Sequence, residues 1–95
     1  MPYFRQAIER EDQNAQYFYN LGVSYLNLGR QSEAIAAFET CVARKPDADA
    51  YVNLGVLYAN AGQRERGRAS FARALELAPN HPQAAIMRRE LQAGQ

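Results

Sequence analysis

The sequence predicts an all-α fold, a stack of helix–turn–helix repeats with about six helices. The first observation is an internal repeat, because a set of marker residues returns in the same order 33 positions later. The second is that Gly29 and Gly62 divide each copy into two segments of helical length. The markers are Phe18, Leu21, Gly22, Tyr25, Ala34, Phe38, Cys41 and Pro46 in the first copy, and Tyr51, Leu54, Gly55, Tyr58, Gly67, Phe71, Ala74 and Pro79 in the second.

The first predicted element, residues 3–11, aligns with the second helix of each repeat. Phe4 takes the place of Phe38 and Phe71, and Ala7 and Ile8 take the apolar positions that follow. Residues 1–14 therefore read as half a repeat whose own first helix is absent.

Glycine and proline set the limits of the later elements. Gly29 and Gly62 end the first helix of each repeat, because glycine tolerates a left-handed backbone. Pro46 and Pro79 follow the second helices as stop signals. Helices are thus predicted over residues 15–28 and 31–44 of the first repeat (15–47), 48–61 and 64–78 of the second (48–81), and 83–92 of a C-terminal cap (82–95), all within a single domain of residues 1–95.

Packing explains most of the repeated residues. Phe18, Leu21 and Tyr25 lie three to four residues apart, which places them on one helix face. Gly22 and Gly55 are expected to let a neighbouring helix approach closely. We assign these residues to the core and give them no chemistry.

The repeat resembles the tetratricopeptide repeat, whose pattern has Leu-Gly, Tyr, a small residue, Phe and Pro in this order. Phe18 and Tyr51 stand where that family prefers Trp, and Gly67 replaces its usual Ala. The resemblance implies a right-handed α-solenoid and a protein–protein interaction module that binds a peptide or a partner helix. It implies no cofactor and no enzymatic activity.

In that family the first helix of each repeat lines a concave groove. Carried over to this chain, the groove positions fall on a face distinct from that of Phe18, Leu21 and Tyr25. They combine apolar side chains, suited to peptide side chains, with amides that both donate and accept hydrogen bonds. The predicted peptide-binding residues are Gln16, Tyr19, Asn20, Val23 and Asn27 in the first repeat, and Asp49, Val52, Asn53, Val56 and Asn60 in the second, with Leu26 and Ala59 beside them.

Asparagine recurs at two of these positions, as the pairs Asn20/Asn53 and Asn27/Asn60. Such pairs resemble the asparagine ladders by which some tetratricopeptide proteins hold an extended chain. Alternatively, each Asn only forms local hydrogen bonds. A basic clamp for a terminal carboxylate is not expected, because the stripe lacks Lys and Arg.

Self-association is the alternative function. Tyr3, Phe4 and Ile8 belong to a helix that lacks its own partner helix, so part of an apolar face has no predicted cover. Either this helix packs on Phe18 and Tyr25 of its own chain, or it pairs with another copy and makes a homo-oligomer. A third interpretation is that the chain is a fragment of a longer repeat protein.

Composition argues against most other functions. The 95 residues carry a net charge of +1, which does not suggest a nucleic-acid or membrane partner. Arg64, Arg66, Arg68 and Arg73 are interpreted as a solvated face. Catalysis and metal binding have little basis, since the chain has one Cys, Cys41, and one His in a turn. No signal peptide is recognised, so a cytoplasmic location is expected.

Overall fold

A computed structural model describes the backbone of residues 2–93 and the side chains of residues 14–90. The described backbone contains helices and turns and no strand, which confirms the all-α prediction. The five helices are α1 (Pro2–Asn27), α2 (Gln31–Arg44), α3 (Ala48–Asn60), α4 (Arg64–Leu77) and α5 (Pro82–Ala93).

Helix α1 differs from the prediction, because it joins the two helices expected over residues 3–11 and 15–28 into one helix of 26 residues. Asp12, Gln13 and Asn14 connect the two stretches, and none of them is a glycine or proline that would interrupt the backbone hydrogen bonds. The described backbone therefore contains five helices, close to the six or so expected.

The helices group into two compact units, Met1–Pro46 and Asp47–Gln95. In the first unit, α1 packs against α2. A Cβ atom on Gly22 would lie 2.7 Å from the ring of Phe38, which is fully buried. The absence of a side chain at this position therefore lets the Phe38 ring rest on the backbone of α1.

The second unit contains α3, α4 and α5, with α4 packed against both of the others. A Cβ atom on Gly55 would lie 2.5 Å from the Phe71 ring, so this unit repeats the glycine–aromatic contact of the first. Its buried residues include a cluster of Val52, Phe71, Ala74 and Ala84, and Ala50, Leu54, Leu57 and Tyr58 are buried as well. The close approach predicted for Gly22 and Gly55 is thus present in both units.

Both predicted glycine turns have left-handed backbone, with φ of 77° at Gly29 and 83° at Gly62. After α1, the Arg30 N–H donates to the Tyr25 carbonyl at 2.8 Å, and after α3 the Gln63 N–H donates to the Tyr58 carbonyl at 2.8 Å. These bonds satisfy helix-end carbonyls in the way that a glycine at this position allows. At the start of α3, Asp47 accepts the Ala50 N–H at 3.0 Å.

None of the helices in the described part of the chain is long and apolar enough to cross a membrane.

Candidate functional site

The predicted stripe of the first unit, the α1 stripe, consists of Gln16, Tyr19, Asn20, Val23 and Asn27 on one helix. The Gln16 Nε2 donates to the Asn20 Oδ1 at 3.2 Å. The Tyr19 ring meets the Phe38 ring edge-on, with centroids 5.6 Å apart, and Val23 is half-buried. The stripe thus combines exposed amides with partly covered apolar surface.

The predicted stripe of the second unit, the α3 stripe, consists of Asp49, Val52, Asn53, Val56 and Asn60. Val56 and Asn53 are half-buried and Asn60 is exposed. Val52 is different, since it is only 2 % exposed and belongs to the core with Phe71 and Ala84. Its assignment as a ligand contact therefore does not fit its burial, because helices α4 and α5 supply neighbours that the sequence reading had not placed there.

The asparagine side chains differ in their local contacts. Asn20 accepts a hydrogen bond from Gln16, which agrees with the interpretation of local bonding. The amides of Asn27, Asn53 and Asn60 have no hydrogen-bond partner among the described residues. Local bonding therefore accounts for one asparagine of the four.

Asp49 contacts His81, which lies in the turn before α5. The His81 Nε2 lies 2.8 Å from the Asp49 Oδ1, and its Nδ1 accepts the Ala84 N–H at 3.3 Å. A neutral imidazole protonated at Nε2 satisfies both contacts, because it donates at one nitrogen and accepts at the other. His81 thus caps α5 and connects it to α3.

A sequence signal for the His81 cap was available. Proline is favoured at the first position of a helix, so Pro82 identifies residue 81 as the cap. The contact with Asp49 had no such signal, since it joins residues 32 positions apart.

Two of the four arginines interpreted as a solvated face cover aromatic rings. The Arg66 guanidinium lies 5.8 Å from the Tyr58 ring centroid, and that of Arg73 lies 5.8 Å from Tyr51. The pKa of Arg73 lies above its ordinary value, chiefly because of a hydrogen bond with Tyr51 and also because of the charge of Glu76.

The first unit also contains an apolar groove of about 240 Å³, which we call the α1–α2 groove. It lies on the face predicted to pack, and not on the α1 stripe. Its lining includes Phe18, Leu21 and Tyr25 from α1, and Glu33, Ala36 and Thr40 from α2. The three α1 side chains are half-buried and Ala36 is exposed.

The predicted self-association residues Tyr3, Phe4 and Ile8 lie outside the described side chains. Among the residues whose side chains are described, no cluster of three or more His, Cys, Asp or Glu could hold a metal ion.

Comparison with known protein families confirms the resemblance inferred from the sequence. Tetratricopeptide repeat matches cover residues 15–47 and residues 48–81. The chain belongs to the tetratricopeptide repeat family. Repeats of this family are generally protein–protein interaction modules, and the family is typically a non-enzymatic scaffold. No curated protein matches the chain.

Proposed function

We propose that this tetratricopeptide repeat protein binds short, extended peptides on the stripe of each unit, the α1 stripe and the α3 stripe. The observation that carries the proposal is the set of amides without a partner, those of Asn27, Asn53 and Asn60. A primary amide presents two N–H donors and a carbonyl acceptor. It can therefore bind both the carbonyl and the N–H of a peptide backbone, whatever the peptide's side chains.

Apolar contacts complement these amides. Val23 and Val56 are half-buried, so each retains apolar surface that a peptide side chain can cover. Tyr19 adds an aromatic edge held by Phe38. Val52 and Asp49 have no role in the proposal, because Val52 is in the core and Asp49 is bonded to His81.

Binding of this kind is expected to be weak. Each unit supplies one short stripe, and an extended peptide loses conformational freedom when it becomes ordered. We expect a dissociation constant in the micromolar range, about −8 kcal/mol. The protein acts by holding a partner and not by converting it.

A peptide screen followed by a double substitution tests the proposal. A binder is first selected on the full chain from a library of random short peptides. Asn53→Ala combined with Asn60→Ala should then weaken it by about fivefold or more, since each lost hydrogen bond contributes about 0.5–1.5 kcal/mol. Calorimetric titration measures the effect.

Asn80→Ala provides the matched control, because Asn80 is an exposed asparagine in a turn outside both stripes. It should leave the affinity unchanged. Failure to select any peptide, or equal affinities for the double variant and the control, would contradict the proposal.

A further inference from the structure

We propose that the α1–α2 groove is a self-association site, filled by residues 3–11 of a second copy of this chain. The groove lies on a different face from the α1 and α3 stripes. The proposal therefore does not depend on peptide binding.

Among the described side chains, arginines cover the counterpart of this groove in the second unit, whereas the groove of the first unit is open. Tyr58 and Tyr51 stand 33 positions after the groove residues Tyr25 and Phe18. In the second unit, Arg66 lies over Tyr58 and Arg73 lies over Tyr51.

The first unit lacks these arginines. The residues 33 positions earlier are Glu33 and Thr40, which line the groove without closing it. The lining of the groove is mostly apolar, and its contact with a helix would remove that surface from water, which is favourable. The described part of the first unit therefore leaves this face open to a second copy.

The second unit also indicates what kind of helix fits there. Phe71 and Ala74 of α4 form a buried cluster with Ala84 of α5, and Leu75 and Met87 pack against it. A second helix of the repeat thus covers the first helix that follows it.

The sequence alignment of the repeats predicts equivalent packing for the N-terminal segment. Ala84 and Met87 stand 66 positions after Phe18 and Leu21 of the groove. The residues that pack with them, Phe71, Ala74 and Leu75, stand 67 positions after Phe4, Ala7 and Ile8, so the N-terminal segment aligns with one residue more than two 33-residue periods. Residues 4–8 therefore share with α4 the apolar pattern that packs on the first helix of a repeat.

A second copy must supply the segment, because residues 3–11 are part of α1 itself. Along a helix with a rise of 1.5 Å per residue, Phe18 lies roughly 10 Å beyond Glu11. A continuous helix cannot turn back on its own surface. The segment of one chain can, however, reach the groove of another.

Reciprocal exchange of residues 3–11 between two copies gives a dimer with two-fold symmetry. Helices joined by a short connection, such as α4 and α5, run antiparallel. The same arrangement between two α1 helices brings residues 3–11 of each copy alongside Phe18 and Leu21 of the other. Each copy then fills one groove and offers one segment, which makes a closed dimer.

Molar mass measured by light scattering on the full chain, from about 1 μM to about 1 mM, tests the proposal. The mass should rise from the monomer to the dimer. Phe4→Glu, in the segment, and Ala36→Glu, in the groove, should each raise the dimer dissociation constant at least tenfold. A full chain that stays monomeric at every concentration would overturn the proposal.

Two controls separate docking from damage to the fold. Ala69→Glu adds the same side chain to an exposed alanine 33 positions after Ala36, and it should leave the dimer intact. Circular dichroism should show equal helix content in all the variants. Weakening by Ala69→Glu equal to that by Ala36→Glu would refute the assignment of the groove.

Mixing the two disruptive variants identifies the occupant. Phe4→Glu keeps an intact groove and Ala36→Glu keeps an intact segment, so the mixture restores one of the two exchanged contacts. Energy transfer between differently labelled variants should then exceed that within either variant alone. No excess in the mixture would disprove exchange between copies.

Discussion

At the scale of single residues, the packing of Gly22 and Gly55 explains why the repeat has glycine at these positions. Each lies under an aromatic ring that is at most 1 % exposed, Phe38 for Gly22 and Phe71 for Gly55. Glycine in a helix interior is less favourable than alanine by about 0.5–1 kcal/mol. Close helix packing offsets this cost, since both rings occupy the space that a Cβ atom would take.

Gly55→Ala should therefore destabilise the protein despite the higher helix propensity of alanine. The added Cβ atom would lie 2.5 Å from a buried ring, and overpacking of this kind costs about 1–3 kcal/mol. Urea unfolding measures the change. If the variant is as stable as the original chain, the close packing does not constrain position 55.

A double variant distinguishes the steric explanation from others. Phe71→Leu removes part of the ring that the new Cβ atom meets. The cost of Gly55→Ala should be smaller in the Phe71→Leu background than in the original chain, because residues in contact do not contribute additively. Equal costs in the two backgrounds would indicate another cause.

His81 is the second residue whose role depends on particular atoms. His81→Ala removes both the acceptor for the Ala84 N–H and the contact with Asp49. Loss of a helix cap costs about 0.5–2 kcal/mol. His81→Asn should retain most of the stability, because Asn is a preferred cap. Thermal unfolding of both variants checks the prediction, and equal losses would argue against capping.

At the scale of helices, the two units differ in whether arginines cover the equivalent face of the first helix. Both begin with a first helix that presents an aromatic, a leucine and a tyrosine at helical spacing. In the second unit, arginines of α4 lie over two of these residues. In the first unit, α2 has Glu33 and Thr40 at the corresponding positions, and a groove remains.

Transfer of the two arginines should close the α1–α2 groove. Glu33→Arg combined with Thr40→Arg copies the cover of the second unit and should weaken dimerisation without loss of helix content. Glu65→Arg combined with Asn80→Arg adds the same charge in the second unit and serves as the control. Sedimentation equilibrium compares the two, and equal effects would point to charge repulsion instead of groove closure.

At the scale of the whole molecule, the chain is short for a repeat protein. Repeat stacks depend on contacts between neighbouring units, so a stack of few repeats has little stability of its own. Association that buries the α1–α2 groove would add to that stability, because any interaction confined to the folded state shifts unfolding by mass action.

The melting temperature should therefore depend on protein concentration. We expect it to rise by a few degrees over a hundredfold increase, since about 1 kcal/mol corresponds to about 4–8 °C in a domain of this size. The melting temperature of Phe4→Glu should stay constant over the same range. Scanning calorimetry makes the comparison, and a constant value for the original chain would argue against a folded dimer.

Local chemistry made much of the fold predictable from sequence. The Leu-Gly pairs, the aromatic spacing and the glycine turns act within one helix or one helix pair, so Gly29 and Gly62 have the left-handed backbone that the sequence indicates. The candidate stripes follow from helix periodicity for the same reason. Burial is less local, because residues of α4 and α5 bury Val52, which helix periodicity places on the groove face.

The sequence by itself determined the repeat, the family and the residues on each helix face, because these depend on the identity and spacing of neighbours along the chain. Only the tertiary structure decided that α1 is continuous, that His81 connects α3 and α5, and that arginines cover one unit and not the other. The physical reason is that the contacts of His81 and of the two arginines join residues on different helices, and the continuity of α1 rests on a stretch with no signal for or against a break.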